Sequence, residues 1–103
     1  MSISEALHAI KTEFERQFDV EISIYISIHR TSDGLEPSRE HAERIIQTVA
    51  NEIGEKKITH NARAKDDFAT AWVSTGKDDI QITAFYPYSE YHTEGNNARE
   101  SGT

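Results

Sequence analysis

From Val20 to Ile28 the chain alternates without exception: Val20, Ile22, Ile24, Ile26 and Ile28 are β-branched aliphatics, and Glu21, Ser23, Tyr25 and Ser27 between them are polar or amphipathic. A period of two over such a length is what a strand with one buried and one wetter face requires. A one-residue slip would turn all five aliphatics to solvent, so whatever covers them is the core. The segment is read as the middle of a sheet. A helical crossover also allows it an edge position, so strand order stays open.

Two helical patterns stand ready to cover it. Ser2-Ile3-Ser4-Glu5 has the form of a capping box, and Ile3, Leu7, Ile10, Phe14 and Phe18 make one apolar stripe to about Phe18. The single residue Asp19 separates this helix from the alternating segment, which favours packing the helix directly on the aliphatic face. Thr31 to Pro37 is a cluster of turn formers. Ser38 is then an N-cap for a second helix, with Ala42, Ile45, Ile46, Val49, Ala50 and Ile53 on one face and Gly54 as the left-handed C-cap.

Three further strands follow. Lys56 to Ala64 is weak, and Lys65-Asp66-Asp67 is a turn. Phe68 to Thr75 and Ile80 to Tyr86 flank Gly76-Lys77-Asp78-Asp79, which reads as a hairpin loop. Pro87 stops the last strand. From Tyr88 to Thr103 the chain holds no aliphatic larger than Ala98 and is expected to be a mobile polar tail on a single domain of residues 1–87.

The order α-β-α-β-β-β predicts a two-layer α+β domain: four strands, mainly antiparallel, with both helices on one face. Ala69, Ala71, Val73, Ile80, Ile82 and Ala84 would lie under the helices. Trp72, Phe85, Tyr25 and His29 would then share an uncovered face, a docking surface for a protein or a second copy. The opposite facing, with Trp72 and Phe85 in the core, remains open at this point.

Charge narrows the roles. The chain has a net charge of −7, distributed as −6 over residues 1–55, +4 over 56–65 and −5 over 66–103. Such a field repels nucleic acid and anionic lipid and attracts a basic partner. Glu36, Glu40, Glu43, Glu52 and Glu55, with Glu13, Glu15, Asp19 and Glu21, could form a negative row imitating a phosphate backbone, or a merely solvated face. Arg39 and Arg44 interrupt it.

Chemistry is harder to find. There is no cysteine, so neither a disulfide framework nor a cysteine zinc site, which suits a reducing cytoplasm. His8, His29, His41, His60 and His92 have no metal-ligand spacing; His29 and His60 could meet only if their strands pair. No nucleophile elbow or phosphate-binding glycine loop occurs. The expectation is a non-enzyme without metal or cofactor. No apolar run approaches the roughly 20 residues that span a bilayer.

A short acidic cysteine-free chain whose last strand reads Asp79-Ile80-Gln81-Ile82-Thr83-Ala84-Phe85-Tyr86-Pro87 before a polar tail resembles the small accessory proteins of phages and mobile elements, anti-CRISPR proteins among them. The resemblance implies a non-enzymatic inhibitor that binds a nuclease complex; joined to the −7 charge and the absence of cysteine, it makes the expectation a cytoplasmic non-catalytic protein that occludes a basic surface of a nuclease or other nucleic-acid-handling complex. It assigns no residue a role. The alternative is a structural homodimer or assembly component joined through the aromatic sheet face.

Overall fold

The computed structural model describes residues 2–55, 57–75 and 79–92. Its elements are α1 (Ile3–Phe18), β1 (Ile24–Ile28), α2 (Arg39–Ile53), β2 (Thr59–Arg63), β3 (Phe68–Ser74) and β4 (Ile80–Pro87), with short 3-10 turns at Ala64–Asp66 and Tyr88–Glu90. The fold is α+β with a four-stranded open sheet.

Both helices begin and end on local chemistry. Ser2 and Glu5 form the capping box, Ser2 Oγ accepting the Glu5 amide at 3.1 Å and Glu5 Oε1 accepting the Ser2 amide at 2.9 Å. Ser38 Oγ accepts the His41 amide at 3.1 Å. Gly54 closes α2 at φ +80°, a conformation that costs a residue without Cβ little.

The strand order is β1-β4-β3-β2. β2, β3 and β4 form an antiparallel meander, but β1 runs parallel to β4, with Ile26 beside Ile82. Two expectations are corrected here. The sheet is mixed, not mainly antiparallel, and the isoleucine segment lies at an edge, not in the middle. Only Ile24–Ile28 pairs; Val20 is exposed. The reason is visible in the central strands. Ala69, Ala71 and Ala84 are fully buried opposite Ala42 and Ala50 of α2, so the closest helix–sheet approach is over β3 and β4. Alanine, with no side chain beyond Cβ, permits that approach at Ala69, Ala71 and Ala84, while Val73, Ile80 and Ile82 fill the space beside them.

The sheet faces fall as the alternation requires. Val73, Ile80, Ile82 and Tyr86 join the alanines on the helix side, with Ile24, Ile26 and Ile28 packed against them. Leu7 of α1 enters the same cluster beside Val49, Ile53, Ile80 and Ile82, which puts α1 on the side of α2. The remaining gap there is about 10 Å³, room for about one water molecule.

Residues Tyr88 to His92 depart from the expected tail. Tyr91 packs against the core cluster, and Arg39 donates from its backbone to Glu90 Oε1 at 2.7 Å and from its side chain to the Glu90 and Tyr91 carbonyls. The aromatic rings supply the burial that aliphatics elsewhere provide. The expected mobility of 93–103, and Gly76-Lys77-Asp78 of the hairpin, lie outside the described residues.

Candidate interaction surfaces

Two surfaces and one part-buried network answer to the residues the sequence singles out, and a third surface was not foreseen. The open sheet face does carry Tyr25, Trp72, Phe85 and His29. Phe85 stacks on His29 at 4.7 Å and meets Phe68 edge-on at 5.0 Å. It is a local cluster. Trp72 stands opposite Thr83 and Thr59 in the ladders, and its Nε1 donates to Asn61 Oδ1 at 2.6 Å. Tyr25 stands beside Gln81. Threonine and amide side chains therefore separate the aromatics, and Gln81 donates to Thr83 across this face at 3.2 Å. The contiguous aromatic patch breaks into one ring cluster and two isolated rings because cross-strand register, which the sequence does not display, sets each aromatic opposite a polar residue.

The acidic row is likewise divided. Glu40 takes Arg44 at 3.2 Å, and Glu43 takes Arg39 at 3.3 Å and His60 at 3.1 Å. Glu52 Oε1 accepts the Ser4 amide at 3.0 Å, tying α2 to the start of α1. Glu36 lies in the exposed loop before buried Pro37, and Glu55 lies past the C-cap of α2. The carboxylates of Glu40, Glu43 and Glu52 thus each have a partner of their own within the chain. Glu13 pairs with Arg16 and accepts from Gln17, which holds its carboxyl below the usual range.

Glu43 belongs to a part-buried polar network. His60 Nδ1 lies 2.8 Å from the hydroxyl of Tyr86, a fully buried residue, and His60 Nε2 faces Glu43. Burial, and then the Arg39 charge, push the His60 pKa down. A neutral imidazole accepting from Tyr86 and donating to Glu43 satisfies all three groups. Burial also pushes the Tyr86 phenol up. The parity of the last strand places Tyr86 with Ile80 and Ile82, but its partner comes from β2 by tertiary pairing. With the Tyr86 hydroxyl enclosed, this is a tie between β2, β4 and α2, and it is chiefly its Glu43 end that reaches the surface. His29 follows β1 and His60 lies in β2, at opposite edges of the sheet, so the two do not meet. Among the described residues no three His, Asp or Glu side chains gather in a way that would hold a metal ion.

The unforeseen surface is α1 itself. Of its expected apolar stripe only Leu7 is buried; Ile10 is 56 % exposed, Phe14 47 % and Phe18 60 %. Lys11 and Glu15, one and two turns on from Leu7, take the inward side. They pair at 2.6 Å with most of their side-chain surface covered, and Glu15 Oε2 also accepts the Ile22 amide at 2.8 Å. The Lys11 and Ile22 donors hold the Glu15 carboxyl below its ordinary range. Anchoring that row toward the chain's return path rolls Ile10, Phe14 and Phe18 outward, where Phe14 and Phe18 touch only each other's rings at 4.9 Å among the described aromatics.

Comparison with protein-family models, with curated proteins and with solved structures found no match for this chain. Among the described residues no helix is long and apolar enough to cross a membrane.

Proposed function

We propose that the chain is a non-catalytic protein-binding module that acts by occupying part of another protein's surface. The observation that carries this reading is the exposed row Ile10, Phe14 and Phe18 on a capped, well-formed helix. Apolar surface concentrated on one helix is a binding feature when three consecutive turns present it. Acids stand close by in sequence, Glu13 and Asp19 on either side of Phe14 and Phe18, and the chain as a whole carries −7. The partner that fits is a protein with an apolar groove rimmed by lysine and arginine. An inhibitor of a nucleic-acid-handling complex, the role the phage-accessory resemblance implies, is the instance of this class we favour, because such complexes present basic surfaces to phosphates. Direct binding of nucleic acid or membrane is disfavoured by the same charge.

The test uses the full chain as bait against the proteins of its own host, with Phe14→Ser/Phe18→Ser as the paired control. A partner retained by the native chain, lost with the control and weakened by added salt supports the reading. Capture unchanged by the double substitution would overturn the helix as the contact surface, and indifference to salt would overturn the basic rim.

A further inference from the structure

The two edges of the sheet are treated differently by the sequence, and we infer from this that β1 is a self-pairing edge that joins two copies of the chain into one continuous eight-stranded sheet. Edge strands expose unpaired amides and carbonyls, and soluble proteins ordinarily blunt them with charge or proline. β2 is blunted. The strand itself carries Arg63, with Lys57 two residues before the strand begins, and an antiparallel self-pair centred on Asn61 would bring Arg63 diagonal to Lys57 of the second copy. Lys57 and Arg63, from the one positive stretch of an acidic chain, thus protect that edge.

β1 has no such protection. Ile24-Tyr25-Ile26-Ser27-Ile28 contains no charge and no proline. The Ile24 amide donates to the Asp79 carbonyl at 2.8 Å, on the β4 side. In a parallel ladder the even residues therefore address β4, and the amides and carbonyls of Tyr25 and Ser27 point away from the sheet.

The outward groups are self-complementary. A two-fold axis through Ile26 sets Tyr25 opposite Ser27 of the second copy, and Ser27 opposite its Tyr25, as hydrogen-bonded pairs; Ile26 meets Ile26 as the close non-bonded pair. Ile24 then faces Ile28 on the helix side. On the open face the large Tyr25 ring, 68 % exposed, lies over a small serine. Beyond the strand, Ser23 meets His29 and Ile22 meets Arg30, so no like charges oppose one another. An unrelated extended peptide could use the same amides, but it would not bring this match of size and register, which the chain carries in its own sequence.

Sedimentation equilibrium of the full chain over a hundredfold concentration range, with amide hydrogen exchange at its two ends, tests the inference. The expected result is a monomer–dimer equilibrium in which the Tyr25 and Ser27 amides exchange fast when dilute and slowly when concentrated. Tyr25→Lys/Ser27→Lys places lysine opposite lysine twice and should weaken association at least tenfold. Tyr25→Glu/Ser27→Lys makes both pairs complementary and should restore it. Circular dichroism confirms that each variant folds. A native chain that stays monomeric throughout, or a dimer in which these two amides stay unprotected, overturns the proposal. So does a dimer abolished by Phe14→Ser/Phe18→Ser and untouched by the lysine pair, which would instead place self-association on α1.

Discussion

His60 shows how much one residue's role depends on its surroundings. In the sequence it is one of five scattered histidines; in the fold it joins Tyr86 on β4 to Glu43 on α2. Because its folded pKa lies below the ordinary 6.5, the unfolded chain takes up the proton first as pH falls. Stability should therefore decline as pH is lowered through about 6.5, and this contribution should level off once the folded pKa is passed. The charges that face the ring are Arg39 and Glu43, with Tyr86 at its other nitrogen. Chemical denaturation of the native chain and of His60→Gln at several pH values isolates the effect. The variant should lose this part of the acid slope; parallel curves would show that His60 does not carry it. The other ionisable side chains are common to both proteins and cancel in the difference.

At the scale of elements, the two helices have similar amphipathic patterns and different fates. α2 buries Ala42, Ile46, Val49 and Ala50 over the central strands, whereas α1 contributes Leu7 to the core and holds its next two inward positions with an ion pair. The difference is measurable by substitution. Leu7→Ala removes buried side-chain volume and should cost about 2–4 kcal/mol. Phe14→Ser, though it removes a larger apolar group, should cost under about 1 kcal/mol, since that ring is half exposed in the folded chain. Urea denaturation of both variants decides the point: equal losses would mean that Phe14 is packed in solution. The same contrast explains why the stripe misleads when read alone. Periodicity reports that a helix has an apolar side, but not that another element has room for it.

For the whole molecule, stability should be graded from the centre of the sheet outward. β3 and β4 are paired on both sides and covered by α2, while β1 and β2 each pair on one side only among the described residues and the end of α1 carries exposed rings. Hydrogen exchange in dilute solution should find the slowest amides in β3 and β4, around Ala71 and Ala84, and much faster exchange in the last turn of α1. Slow exchange in that last turn would show that α1 is held by contacts beyond those described. The gradient also fits a surface-binding role, because the least covered apolar element can be buried by a partner without disturbing the core.

What the sequence determined by itself was local. The capping box at Ser2 and Glu5, the Ser38 and Gly54 boundaries of α2, the α-β-α-β-β-β order and the grouping of Ala69, Ala71 and Val73, and of Ile80 and Ile82, on shared faces of their strands all follow from contacts within a few residues or from strict alternation, whereas which face the helices cover was settled by the packing. The tertiary structure decided which strand became central, that β1 lies parallel to β4, that Tyr86 meets His60, and that α1 turns its phenylalanines outward. Each of these depends on residues far apart in the chain competing for one limited interior. Alternation makes β1 a strand wherever it lies; its place at the edge, beside β4, came from the packing of α2 over β3 and β4, where Ala69, Ala71 and Ala84 are fully buried.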